Sequence, residues 1–148
     1  MKTQIGVGLD LKIWDVSETH PYSVHDLTVL HGSRIPALLS DSKKAAGDSA
    51  YQGEPHFVVP IKKPRGRQLS EEQKLFNRQV AHVRVAVENV FKRLKHFHII
   101  KDVYRGDYHK LSEFNCIFKL CCALTNIHFE KHPLRRYPLK IKKLPRTI

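Results

Sequence analysis

Negative charge is scarce in this chain. Fourteen Asp and Glu stand against 26 Lys and Arg, which leaves a formal net charge of +12. An excess of that size favours a polyanionic partner, usually nucleic acid, over a basic surface that is merely solvated. The distribution supports the first reading, because Lys131, Arg135, Arg136, Lys140, Lys142, Lys143 and Arg146 fall in the last 18 positions with no acid among them. Cysteine is sparse too. Cys116, Cys121 and Cys122 form an odd, clustered set of three, which argues against a disulfide framework. No apolar run approaches the roughly 20 residues of a membrane-spanning helix, and the N-terminus lacks a signal-peptide pattern. These absences predict a soluble, cytoplasmic protein. At 148 residues the chain has the size of one domain.

The longest periodic segment is residues 70–97, and it contains neither Gly nor Pro. Phe76, Val80, Val83, Val87, Val90 and Leu94 alternate in steps of four and three, one continuous stripe on an α-helix. Ser70 followed by Gln73 reads as a capping box, with Glu71 and Glu72 suited to the positive end of the helix dipole and Lys92, Arg93 and Lys95 to the other.

Before this helix the pattern is strand-like. Residues 3–9 and 12–17 predict a hairpin with Asp10 at its turn and Gly6 and Gly8 marking weak or closely packed points. Ser23 is a candidate N-cap for a helix that ends near His31 and Gly32, and residues 35–39 suggest a further helical turn. A short strand delivers Asp48 to its C-terminal tip, and residues 57–61 form a compact apolar strand. After the long helix come a linker at 99–110, a second helix over 111–129 and a tail interrupted by Pro133, Pro138 and Pro145. In that helix Phe114, Ile117, Phe118, Cys121, Leu124 and Ile127 recur at helical spacing. The order strand, strand, helix, strand, strand, helix, helix places the chain in the α/β class.

Two acids stand out, Asp48 at a strand tip between glycines and Glu88 in the long helix. Oxygen ligands of this kind suit Mg²⁺ or Mn²⁺ in phosphoryl-transfer chemistry, although any α/β protein carries such a pair by chance. Cys116, Cys121, Cys122, His128 and His132 lack the paired spacing of a zinc site. Lys62, Lys63, Arg65 and Arg67 form a basic loop, and Lys92 and Lys95 lie on Glu88's side of the helix; all six could follow a phosphate backbone. Arg84 and Lys92, one turn either side of Glu88, could instead form ordinary ion pairs with it.

The wording around the acids is more specific. The runs G-D-S-A-Y-Q-G, P-I-K-K-P-R-G-R-Q-L-S-E-E-Q-K-L-F-N-R and R-V-A-V-E-N-V-F-K-R-L-K resemble DDE-superfamily insertion-sequence transposases, in the Harbinger-related branch. K-T-Q-I, P-Y-S-V-H-D-L-T-V-L and C-C-A-L-T-N extend the resemblance over residues 2–128. It implies an RNase H-like fold in which Asp, Asp and Glu bind two divalent ions that drive in-line attack on a phosphodiester. Asp48 matches the second acid and Glu88 the third, with Arg84 as an orienting neighbour. Asp26 matches a structural position at a helix start, and Tyr51 one that serves packing.

The first acid of the pattern lies on a central strand before K-T-Q, and this chain begins at Met1 just ahead of Lys2. The expectation is therefore an incomplete RNase H-like mixed sheet with packed helices, its first central strand missing. Residues 1–129 would form this partial catalytic domain and residues 130–148 a basic tail. Such a chain is the C-terminal part of a transposase, inactive alone, whose partners are DNA, the upstream part or reading frame, and further copies of the chain. Its expected place in the cell is the nucleoid. The alternative is a basic DNA-binding remnant without catalysis.

Overall fold

The computed structural model describes residues 1–102 and 111–133. Most of the expected linker and nearly all of the basic tail lie outside the described residues. The chain opens on an antiparallel hairpin, β1 (Ile5–Val7) and β2 (Ile13–Val16), with Ile5 opposite Val16 and Gly6 opposite Asp15. Both strands are shorter than their sequence pattern, and an irregularity between Gly6 and Val7 shifts the register within the pair. Asp10 holds the turn as expected. Its Oδ1 accepts from Lys12 N at 3.1 Å and from the Trp14 indole at 3.1 Å.

The next helix, α1 (Asp26–His31), does not start at Ser23. Its N-cap is His25, whose Nδ1 accepts from Leu27 N at 3.3 Å, while Val24 N is spent on a turn to Pro21 O. The bend at Pro21 keeps Ser23 outside the helix. A single turn, α2 (Ile35–Leu38), follows. Then come β3 (Ala45–Ala46), a 3-10 turn (Ser49–Tyr51) and β4 (Phe57–Val58), which pairs in parallel with β3.

The long helix α3 (Glu71–Leu94) begins with the expected capping box, as Ser70 Oγ accepts from Gln73 N and Gln73 Oε1 accepts from Ser70 N. Val80, Val90 and Leu94 are buried, with Phe76, Val83 and Val87 half-buried between them. A short α4 (His98–Lys101) leads toward α5 (Leu111–Lys131). In α5 the buried face runs through Phe114, Phe118, Cys121, Cys122, Thr125 and Phe129. Leu124 and Ile127 keep 43% and 52% of their surface in solvent, so that part of the apolar pattern is not core.

The main core joins Ile13 of β2, Val90 and Leu94 of α3, and Phe114, Phe118, Cys121, Cys122 and Phe129 of α5. Burial pushes the Cys121 thiol up and the Cys122 thiol to about 12, so both act as small apolar side chains. The strands do not make one mixed sheet among the described residues. They make two separate pairs, β1–β2 and β3–β4, and α3 packs against β1 and β3 alike. No helix among the described residues is long and apolar enough to cross a membrane.

Candidate active site

Asp48 owes its place to the glycine before it. Gly47 is buried, and a Cβ there would lie 2.9 Å from Tyr51 Cδ2 and 3.0 Å from Phe57 Cδ1. The bare backbone lets the Tyr51 and Phe57 rings stack, with centroids 5.0 Å apart, directly over the end of β3. The chain then turns, and Asp48 caps the 3-10 turn by accepting from Ala50 N through Oδ1 at 2.9 Å. The carboxylate itself is exposed and has no cation partner among the described residues.

Tyr51 is enclosed beside two carboxylates. Burial first, then the charges of Asp26 and Asp48, push its hydroxyl up to about 12. A phenol so held stays protonated and is unsuited to nucleophilic attack. Asp26 is itself tied down. Lys2 Nζ stands 3.0 Å from its Oδ1 and donates to Val24 O at 2.6 Å, while Gln4 Nε2 donates to Asp26 O at 2.7 Å. Lys2 and Gln4 of the K-T-Q segment thus staple the hairpin to the start of α1, and Asp26 has a structural role.

Glu88 is exposed on α3. Among the described residues it makes no ion pair with Arg84 or Lys92, so the carboxylate is left open. Packing of α3 against β3 brings Glu88's helix to the strand that presents Asp48. The described residues do not, however, gather three His, Cys, Asp or Glu side chains around a point that could hold a metal ion. Two carboxylates on packed elements are a partial ligand set, which does not by itself fit a two-metal centre.

The basic residues separate into two groups. Lys62, Lys63, Arg65 and Arg67 are all exposed, in a loop with a turn from Pro64 O to Arg67 N. This loop is clamped by a residue that the sequence reading passed over. Asn77 of α3 accepts from Ile61 N at 2.8 Å and donates to Ile61 O at 3.0 Å, as a neighbouring strand would. An Asn one position after an apolar stripe residue, Phe76, was the available signal. Lys92 and Lys95 lie 15 or more residues further along α3, which is about 22 Å or more. Glu88 therefore sits between two cationic clusters, nearer the second.

A model of the family described as DDE superfamily endonuclease matches residues 1–126, a span that includes both acids. Among curated proteins, the probable transposase for insertion sequence element IS702 of Microchaete diplosiphon is 36% identical over 91 residues. That match covers 59% of this chain and 32% of the relative, so the chain spans about a third of that protein. No solved structure matches the chain.

Proposed function

The chain belongs to the DDE superfamily of endonucleases, and we propose that it is the part of an insertion-sequence transposase that contributes Asp48 and Glu88 to the catalytic set. The observation that carries this reading is the family match across both acids, on elements that pack together as β3 and α3 do. Endonucleases of this superfamily use divalent metal ions, and Mg²⁺ or Mn²⁺ suits the oxygen ligands here. The partial ligand set of this chain assigns it no metal-dependent step of its own. In our reading a third carboxylate comes from outside this sequence. In this reading the strand that carries it joins between β1 and β3, each of which pairs with one strand among the described residues and packs against α3.

The substrate in this proposal is DNA, cleaved and then joined at element ends within the nucleoid, and further copies of the chain are partners in assembly. Lys62, Lys63, Arg65 and Arg67 hold one stretch of backbone, and Lys92 and Lys95 another. The scissile phosphate then lies near Glu88, with Arg84 one turn away on the same helix as the residue that would orient that carboxylate. The incomplete ligand cluster favours a second reading for the isolated chain, as a DNA-binding protein without catalysis.

The test is a protein extended by the coding sequence upstream of Met1 and assayed for nicking of element-end DNA. Asp48→Ala and Glu88→Ala should each lower nicking by at least about a hundredfold. Retained nicking in either variant removes that residue from the site. An extended protein that binds DNA and never nicks it leaves the non-catalytic reading.

A further inference from the structure

Bases of three kinds of position gather where the C-terminal end of α3 meets α5. Arg93 Nη1 lies 2.8 Å from His128 Nε2, and its guanidinium stands 5.8 Å from the centre of the Phe129 ring. Just past the end of α5, the His132 ring lies 4.8 Å from that of His128. A guanidinium donates hydrogen bonds and never accepts them, so His128 Nε2 is the acceptor and His128 is neutral with its proton on Nδ1. Among the described residues the charged or titratable groups that act on His128 are Arg93 of α3, His96 just after that helix and His132 just beyond α5, every one a base. Partial burial, then Arg93, His132 and His96, hold its pKa below the ordinary imidazole range.

Among the described residues no carboxylate joins the bases that act on His128, and bases gain nothing from one another by charge. They match a phosphate backbone, to which Arg binds with two parallel donors and imidazolium adds a further charge. We propose that Arg93, His96, His128 and His132 form a contact for the DNA backbone that tightens as the pH falls through the imidazole range. Protonation of His128 removes the lone pair that occupies Arg93 and sets two cations side by side. In free protein that repulsion loosens the junction. A bound phosphate relieves it, so DNA binding takes up protons. The contact lies one residue beyond Lys92, extends the second cationic cluster of α3 onto α5, and rests on the reading that this chain binds DNA.

The experiment measures binding of the 148-residue chain to a fluorescent DNA duplex, over a range of salt, at about pH 7.5 and about pH 5.5. In acid the slope of log affinity against log salt should steepen by about 0.9 for each phosphate gained. His128→Gln keeps an acceptor for Arg93 and cannot be protonated, so it should lose most of that pH response while matching the parent protein near neutrality. Arg93→Gln should weaken binding in acid by about threefold or more. His31→Gln, which removes an imidazole paired with Glu54 at 2.9 Å, should keep the full response. If His128→Gln is misfolded by circular dichroism, His132→Gln takes its place, with a smaller response expected. A response unchanged by His128→Gln, or by His132→Gln where that takes its place, or binding that weakens in acid, overturns the inference and leaves DNA binding intact. Absence of binding at both pH values removes the DNA reading itself.

Discussion

Gly47 shows how one missing side chain can hold a functional group in place. The stack of Tyr51 on Phe57 fills the space that a Cβ would take, and that stack fixes the turn from which Asp48 projects. Gly47→Ala should destabilise the fold by about 1–3 kcal/mol through overpacking, read as a lower urea midpoint. In the extended enzyme it should also cut nicking. Asp15 makes a different argument. The alternation of β2 points it inward, where Oδ2 has no hydrogen-bond partner among the described residues. Burial raises its pKa, against the pull of Arg34 and Lys119. An acid with a raised folded pKa contributes stability below its unfolded pKa of about 3.9, and loses that contribution as pH rises through the folded value. Urea midpoints of the parent protein should therefore fall across that window, and Asp15→Asn should flatten the fall. An equal slope in the variant would show that the carboxyl is not the source.

Among the elements, α3 does three jobs with three sets of residues. Its apolar stripe builds the core, its capping box starts it at a defined residue, and Asn77 holds the basic loop to its side. Ser70→Ala should cost about 1 kcal/mol, measured by urea unfolding. Asn77→Ala should cost about 0.5–1.5 kcal/mol, and its sharper effect should be faster trypsin cleavage at Lys62–Arg67 as the loop detaches. An unchanged cleavage rate would mean that the Ile61 clasp does not restrain the loop. Asn126 of α5 repeats the device, accepting from Ile13 N at 2.9 Å and donating to Ile13 O at 3.0 Å, which covers the outer edge of β2. That clasp also orients α5. With Asn126 turned to the strand, Cys122, Thr125 and Phe129 face inward while Leu124 and Ile127 face solvent.

For the molecule as a whole, the separation of charge matters more than its sum. Two cationic clusters, one in the loop held to α3 by Asn77 and one about 22 Å or more further along that helix, can hold a duplex at two points, with Glu88 between them. If both bind, affinity for DNA should fall linearly with salt on logarithmic axes, by about 0.9 per phosphate contacted. Neutralising Lys62, Lys63, Arg65 and Arg67 together should lower that slope while leaving the contribution of Lys92 and Lys95. A slope that stays the same would take the loop out of the interface. The two unjoined strand pairs beneath α3 belong with this picture. On the proposed function, a segment that paired with both would supply the third carboxylate beside Asp48 and Glu88.

Helix periodicity, the capping box, the hairpin turn at Asp10 and the relation to transposases were all legible in the sequence, because each is written in residues close together along the chain. So was the pairing of Asp48 with Glu88 as candidates, although only through the motifs around them. Tertiary structure decided what depends on contacts between distant segments. It made His25 rather than Ser23 the cap of α1 through the bend at Pro21, and it turned α5 so that Leu124 and Ile127, two of the six residues of its apolar pattern, face solvent. It left Glu88 without the ion pairs that its neighbours suggested. It also set Asn77 on Ile61, Asn126 on Ile13 and Arg93 on His128. A polar side chain inside an apolar stripe looks the same on paper whether it meets water or a backbone 16 or 113 residues away.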